Sequence, residues 1–223
     1  MGTLKYEYIA IEGPPKAGKK DLSFALSTQS YGRILKDVEE NPFLDKFYSN
    51  PNDLRIPLLT QLVFLMERGR TLISLRERKL FKEIIFTPFI LQKDRIYANL
   101  FLREDEFIIY NKIYDLFKKN IRPPDFIIFL QLTTNELINR IRKYGSEKEK
   151  SVKTEYWKEL NEAYNHFIFH YEDIPSLVVK ADNLNFQKND DAIKEIISEA
   201  NSTKNEKKFF FIEEEERNFQ LIE

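Results

Sequence analysis

The stretch that decides the fold runs Tyr8-Ile9-Ala10-Ile11-Glu12-Gly13-Pro14-Pro15-Lys16-Ala17-Gly18-Lys19-Lys20. Strand-forming apolar residues lead into Gly13, four residues separate Gly13 from Gly18-Lys19, and a helical pattern follows. This order is typical of a phosphate-binding loop, in which backbone N–H groups and a helix N-terminus surround a phosphate and the lysine reaches the outer phosphates. The pattern normally ends in Ser or Thr, whose hydroxyl binds Mg²⁺, whereas this chain has Lys20. The predicted phosphate-binding residues are Gly13, Lys16, Ala17, Gly18, Lys19 and Lys20.

Composition excludes several classes of function. A chain of 223 residues suits one well-buried domain, and a net charge of -1 gives no case for nucleic acid or an anionic membrane as partner. The sequence contains no apolar run long enough to span a bilayer and no secretory pattern, so we expect a cytoplasmic protein. Cysteine is absent, and the two histidines, His166 and His170, lack carboxylates in a ligand pattern. No metal site made by the protein is therefore predicted.

Strand and helix patterns alternate along the chain. Strand patterns cover residues 6–11, 84–86, 126–132 and 176–179, with a shorter apolar piece at 34–35. Long amphipathic helices are predicted near 57–81 and 103–118, and a closing helix over 190–200. This alternation predicts an α/β fold with a five-stranded parallel sheet flanked by helices.

The last part of the chain differs in composition from the rest. We expect residues 1–200 to form the domain and residues 201–223, which are aromatic and acidic, to form an extension. Such an extension either folds onto its own surface or binds a partner or second subunit.

Seven short pieces in residues 6–200 carry a resemblance. They are the loop Gly13–Lys19, Glu39–Leu44, Gln61 with Arg68, Lys93–Ala98, Pro124-Asp125, Leu160–Tyr164 and Asp182–Leu184. In this order they resemble the deoxynucleoside kinase family, in its bacterial deoxyadenosine and deoxyguanosine kinase-like branch. The resemblance implies a nucleoside-kinase-like phosphate-loop fold that transfers the γ-phosphoryl group of ATP to the 5′-hydroxyl of a deoxynucleoside.

The resemblance also implies roles for single residues. Gln61 would read the nucleobase edge, because one amide offers both a donor and an acceptor, and Arg68 would join it in binding the substrate. The alternative for Gln61 is a polar residue at a helix start that faces water. Arg140 and Arg142 would belong to a lid. The family pairs two long helices across a two-fold axis, which implies a homodimer, whereas the alternative is packing of these helices on their own core.

Several positions that carry chemistry depart from the family pattern. Lys20 replaces the hydroxyl that binds magnesium, and Lys16 stands where glycine is usual. The catalytic glutamate of the family lies four residues before the Glu of Glu-Asn-Pro, which by count is Lys36, a poor proton acceptor at pH 7. If the alignment is off by one, Asp37 becomes the candidate base, with Glu39 as a more distant reserve.

Two further departures concern the strand near 84–86 and the lid. Thr87-Pro88 stands where the family has an acidic residue, and Tyr144-Gly145-Ser146 replaces its Arg-Gly-Arg, which leaves Arg140 and Arg142 nearby. Loss of a general base typically costs about 10²- to 10⁴-fold in rate, and loss of a transition-state arginine about 10³- to 10⁵-fold.

We therefore expect a deoxynucleoside kinase fold with lost or strongly weakened phosphoryl transfer that retains nucleotide or nucleoside binding. ATP is the expected nucleotide, and Lys20 places Mg²⁺ in doubt. An active kinase with rearranged catalytic groups is the first alternative. The second is a structural or interaction protein without a ligand.

Overall fold

The computed structural model describes residues 4–50, 53–75, 83–204 and 206–212. Its strands are β1 (Tyr8–Glu12), β2 (Arg33–Ile34), β3 (Ile85–Thr87), β4 (Phe126–Gln131), β5 (Ser176–Lys180) and β6 (Lys207–Phe210). All neighbouring strands are parallel, in the order β2-β3-β1-β4-β5-β6. The α/β class with a parallel sheet is confirmed, and the described sheet has six strands rather than the predicted five.

Helices cover both faces of this sheet. They are α1 (Lys19–Ser30), α2 (Leu44–Ser49), α3 (Ile56–Ile73), α4 (Gln92–Phe101), α5 (Glu104–Asn120), α6 (Thr134–Tyr144), α7 (Glu147–Ser151), α8 (Thr154–His170) and α9 (Asp190–Ser202). The helix predicted over 57–81 ends at Ile73, and residues 76–82 lie outside the described part. The helix predicted over 103–118 is present as α5, with Glu104, Asp105 and Glu106 in its first turn. No helix in the described ranges is long and apolar enough to cross a membrane.

Continuous apolar runs make β1 and β4 the centre of the sheet. Alternate side chains point to opposite faces, so Ile9 and Ile11 join the cluster that includes Leu22 of α1 and Ile193 of α9. Ala10, between them, belongs to the cluster on the other face. Because both faces are covered, β1 and β4 are apolar up to their last residues, Glu12 and Gln131, and the carboxyl end of the sheet is left to form the site.

The sixth strand comes from the segment predicted to be an extension. Lys207–Phe210 pairs in parallel with β5, from Ser176 opposite Lys207 to Val179 opposite Phe210. Lys208 forms an ion pair with Glu199 of α9, which ties this edge strand to the helix before it. The division into residues 1–200 and 201–223 stays a prediction, and residues 213–223 lie outside the described part.

Candidate active site

The glycine-rich loop connects β1 to α1 with two backbone conformations that favour glycine. Gly13 has φ +158°, and a Cβ there would lie 2.3 Å from the carbonyl oxygen of Leu130, so only glycine fits against β4. Gly18, the N-cap of α1, has φ 95°. Lys16 has φ 61° although it carries a Cβ, in agreement with the strain expected at that position. The loop thus brings backbone amides to the N-terminus of α1.

Lys19 and Glu12 form the base of this loop. The buried carboxylate of Glu12 accepts hydrogen bonds from the backbone N–H groups of Gly13 (2.8 Å) and Ile90 (3.0 Å) and lies 3.7 Å from the Lys19 Nζ. The ammonium group of Lys19 donates to the backbone oxygens of Gly13 and Pro14. Burial lowers the pKa of Lys19 to about 8, although Glu12 opposes the shift. Phosphate binding would stabilise the charged form of this lysine.

Sequence reasoning assigned no role to Glu12. The signal was available, because an acidic residue at the end of a buried strand and directly before a glycine loop needs a partner for its charge. The structure supplies that partner through Lys19 and two backbone N–H groups.

Two other basic residues at the loop are engaged with protein groups. The Lys16 Nζ lies 3.0 Å from Glu149 of α7, so the short helix following Tyr144-Gly145 contacts the loop through a carboxylate. Lys20 is exposed and lines the rim of the cleft. Its position places a positive charge, rather than a hydroxyl ligand, beside the phosphate space.

Arg140 of α6 connects the loop to the end of β5. Its guanidinium donates to the backbone oxygens of Lys16 (3.2 Å), Ala181 (2.6 Å) and Asp182 (2.7 Å), and to Glu136 (2.6 Å). Arg142 is exposed and is not among the residues lining the cleft. Of the two predicted lid arginines, Arg140 therefore borders the phosphate space and Arg142 does not.

A buried charge cluster faces the loop across the cleft. Arg68 of α3 donates to Asp37 (Nε to Oδ1, 2.6 Å) and forms an ion pair with Asp94 of α4. The Lys93 Nζ lies 3.0 Å from the Oδ2 of Asp37. Burial opposes ionisation of Asp37, yet Lys93 and Arg68 hold the pKa of its carboxyl well below its usual range. Burial raises the pKa of Asp94 to about 6 against the pull of Arg68.

Lys36 and Asp37 point in opposite directions. The Lys36 side chain is 82% exposed and forms an ion pair with Glu39 at 3.5 Å, so Lys36 lies away from the cleft. Asp37 lines the cleft together with Lys19 and Lys93. The count from Glu-Asn-Pro therefore selected a solvent-facing lysine, and the neighbouring aspartate occupies the position of a candidate base. The role of Asp37 stays a prediction.

Gln61 is buried rather than facing water. Its residue is 2% exposed, and it lies seven positions before Arg68, hence two turns earlier on the same face of α3. The alternative of a water-facing polar residue is thus wrong for Gln61, whereas its contact with a nucleobase stays a prediction.

Aromatic side chains from α2, α4 and α8 form one wall beside this cluster. Phe101 stacks on Tyr156 with ring centroids 5.0 Å apart, and Tyr48 lies edge-on to Tyr156 at 6.2 Å. Tyr97 lines the cleft itself and lies edge-on to Tyr164 at 6.2 Å. Sequence analysis missed this wall, because its rings come from three helices far apart in the chain. Such rings supply a flat apolar surface that suits a nucleobase.

The cleft between these elements has a volume of about 910 Å³. It runs from the loop at Pro15–Lys20, past Asp37 and Lys93, to the segment Asp182–Gln187. A volume of this size accommodates a nucleotide-sized ligand.

The residues present fit a protein-bound Mg²⁺ poorly. Lys20 takes the place of the usual hydroxyl ligand, and the Thr87 hydroxyl donates to the backbone oxygen of Phe89 at 2.8 Å. Both oxygens of Asp37 are engaged by cationic groups. Within the described residues no group of three or more histidine or acidic side chains could hold a metal ion.

Comparisons with known proteins give consistent matches. The profile described as deoxynucleoside kinase matches residues 9–204. A deoxyguanosine kinase of Bacillus subtilis (strain 168) is 35% identical over 156 residues, which cover 69% of this chain and 74% of that protein. The structure of a deoxyadenosine kinase from M. mycoides with bound dATP is 28% identical with a TM-score of 0.70, covering 86% of this chain and 99% of that one. The same kinase with the products dCMP and a flexible dCDP bound gives 26% identity and a TM-score of 0.71, with the same coverage.

Proposed function

Since the chain belongs to the deoxynucleoside kinase family, we propose that it transfers the γ-phosphoryl group of ATP to the 5′-hydroxyl of a deoxynucleoside, more slowly than enzymes with the complete motif set. The observation that carries this proposal is the position of Asp37, which shares one cleft with Lys19 of the phosphate loop. Phosphoryl transfer depends mainly on positioning and charge stabilisation, and a carboxylate that orients the hydroxyl and a phosphate-binding lysine in one cleft would contribute to both.

The donor nucleotide would place its phosphates on the loop. Backbone amides, the N-terminus of α1 and Lys19 would hold them. The kinase from M. mycoides that binds dATP supports a triphosphate as donor or ligand.

The acceptor deoxynucleoside would lie between α3 and the aromatic wall. Gln61 would contact its base, and Arg68 would hold Asp37 in place for the 5′-hydroxyl. The 5′-oxygen bonds to the γ-phosphorus while the bond from that phosphorus to the β–γ bridging oxygen breaks, and the hydroxyl proton moves to Asp37. Since such transition states are loose, orienting the hydroxyl matters more than removing its proton early. A carboxylate with a strongly lowered pKa can still serve this purpose.

A second candidate is nucleotide or nucleoside binding without appreciable transfer. It is favoured by Lys20 at the hydroxyl position, by Glu149 on Lys16 and by the cationic partners on both oxygens of Asp37. Each of these observations leaves binding possible and removes a group that could stabilise the transition state. The solvent-facing position of Lys36 weakens this candidate, because the site does retain a carboxylate.

One assay decides between the two candidates. Purified protein is incubated with ATP, Mg²⁺ and each of the four common deoxynucleosides, and formation of monophosphate is measured. Turnover on at least one substrate, abolished in Lys19→Ala, supports the kinase. Calorimetric binding of a deoxynucleoside or ATP without monophosphate formation supports the second candidate. Absence of both turnover and binding would leave only the structural alternative.

We also infer that the chain pairs as a homodimer through α3 and α5. Large apolar side chains are exposed on these two helices, at Leu59 and Met66 of α3 and at Ile108, Ile109 and Leu116 of α5. Burial of such a surface would drive association. Sedimentation equilibrium tests this proposal, because Ile109→Glu should lower the dimer fraction, and a monomeric parent protein would overturn it.

A further inference from the structure

We propose that Lys93 is a catalytic residue, whose ammonium group contacts the phosphoryl group while it is transferred. This inference rests on the proposed kinase function and adds to it a cation in place of the arginines missing from the lid. None of the roles expected from the sequence included Lys93.

The location of Lys93 is costly for a lysine. It is the second residue of α4, where the helix dipole disfavours a positive charge, and its side chain is only 10% exposed. Lysine is rarely buried to this extent unless its charge is paired. The partner is Asp37, at 3.0 Å from the ammonium nitrogen.

Asp37 has other donors that hold its carboxylate. Arg68 donates to Oδ1 at 2.6 Å and to Oδ2 at 3.3 Å, and the backbone N–H of Val38 donates to Oδ1 at 2.8 Å. Lys93 lines the cleft, whereas Arg68 is not among the lining residues. Lys93 therefore borders ligand space while its ammonium group contacts Asp37.

That ligand space lies opposite the phosphate loop. Lys93 is close enough to Lys19 for its charge to lower the pKa of Lys19 further, after the larger effect of burial. An anion placed between the two ammonium groups would relieve their repulsion. In the proposed reaction, the group being transferred moves between the phosphate loop, which carries Lys19, and the 5′-hydroxyl beside Asp37, so it is an anion suited to this place.

Among the other cations that line the described cleft, Lys20 lies exposed at the rim, whereas Arg140 and Lys16 are engaged by protein groups. Arg140 holds backbone oxygens and Glu136, and Lys16 holds Glu149. The segment Thr87-Pro88 carries no charge. Among the described residues, Lys93 both contacts the candidate base and lines the cleft.

In the step itself Lys93 keeps its proton. The 5′-oxygen forms a bond to the γ-phosphorus, the bond to the β–γ bridging oxygen breaks, and ADP leaves. The Lys93 ammonium group donates to an equatorial oxygen of the moving phosphoryl group and shifts from Asp37 as that carboxylate takes the hydroxyl proton. Charge stabilisation by such a donor is typically worth about 10²- to 10³-fold in rate.

The first test compares Lys93→Met, Lys93→Arg and the exposed control Lys194→Met. We expect Lys93→Met to lower kcat by about 10²- to 10³-fold with little change in KM for the deoxynucleoside, and Lys93→Arg to retain part of the activity. The control should match the parent protein. Unchanged kcat in Lys93→Met would overturn the proposal. The proposal would also fail if the loss in kcat were accompanied by a loss of thermal stability and Lys93→Arg restored neither.

A second test uses the absence of cysteine from the chain. Lys93→Cys can be unfolded, alkylated with 2-bromoethylamine at its single thiol and refolded, which restores an ammonium group at nearly the original length. We expect aminoethylation to recover activity and alkylation with iodoacetamide, which adds a neutral group, to recover none. Equal recovery with both reagents would contradict a role for the charge. So would recovery with neither reagent, provided that the parent protein regains its activity after the same unfolding and refolding.

A binding measurement separates failure of this inference from failure of the proposed function. The 5′-phosphate of a deoxynucleoside monophosphate would occupy the transferred position, so Lys93→Met should weaken monophosphate binding by about tenfold or more while nucleoside binding is kept. We would titrate dAMP, dGMP, dCMP and the matching nucleosides by calorimetry. Absence of turnover in the parent protein refutes the kinase function. In that case the comparison of monophosphate with nucleoside binding still tests the contact between Lys93 and the phosphate. Equal weakening of monophosphate and nucleoside refutes the contact, whether or not turnover is found.

Discussion

The placement of Asp37 in the cleft, and of Lys36 outside it, allows a matched pair of substitutions. Asp37→Asn removes a charge that is contacted by Arg68 at 2.6 Å, by Lys93 at 3.0 Å and by the backbone N–H of Val38 at 2.8 Å. The amide group would also present its own hydrogens to one of the cations. Lys36→Glu, in contrast, installs the glutamate of the family at the counted position.

The structure gives the expected size of both effects. Breaking a buried ion pair by removing one partner costs about 3–5 kcal/mol, and the residual exposure of Asp37 favours the lower end. Loss of a general base lowers turnover by about 10²- to 10⁴-fold. The Lys36 side chain is solvent-facing, so Lys36→Glu should change stability by no more than about 0.5 kcal/mol and leave turnover as it is.

Urea unfolding and initial-rate kinetics measure the two quantities. The free energy of unfolding separates a structural loss from a catalytic one, because the rate is measured on the folded fraction. A gain in turnover from Lys36→Glu would refute the placement of the candidate base. Parent-like turnover in Asp37→Asn would refute the role of Asp37 in the reaction.

Three further predictions follow from other contacts. At pH 8, ATP binding should take up about half a proton, because burial lowers the pKa of Lys19 to about 8 in the free protein and the bound phosphate raises this pKa. Proton uptake should disappear near pH 6, where Lys19 is already protonated, and in Lys19→Arg. Calorimetry in buffers of different ionisation enthalpy measures the uptake. Glu149→Gln should tighten ATP binding by up to about tenfold, since it frees Lys16 and removes a negative charge from the phosphate loop; weaker binding would contradict this. Gly69→Ala should destabilise the protein by about 1–3 kcal/mol in urea unfolding, because its Cβ would meet the Phe117 ring at 2.2 Å; unchanged stability would show that α3 and α5 can separate locally.

Local patterns were sufficient for much of the fold. The apolar runs of β1 and β4, and the glycine spacing between β1 and α1, depend on neighbours in the chain, and these elements lie where the patterns predict them. The end of α3 and the strand β6 were less accessible, because a helix end without a clear stop signal and an edge strand of four residues depend on tertiary contacts.

The candidate site divides in the same way. The loop residues from Gly13 to Lys19 are contiguous, so the sequence alone determined that they form one feature and that Lys20 departs from its pattern. Which of Lys36 and Asp37 enters the cleft depends on the direction of the backbone after β2, which no spacing rule settles.

Only the tertiary structure decided the charge cluster and its partners. Asp37, Arg68 and Lys93 lie on three separate segments, and they share a site because α3 and α4 pack beside the carboxyl end of the sheet. The sequence determined the family, the loop and the elements that carry these residues. The structure determined which charges face one another, because electrostatic interactions depend on distances between residues far apart in the chain and on their burial.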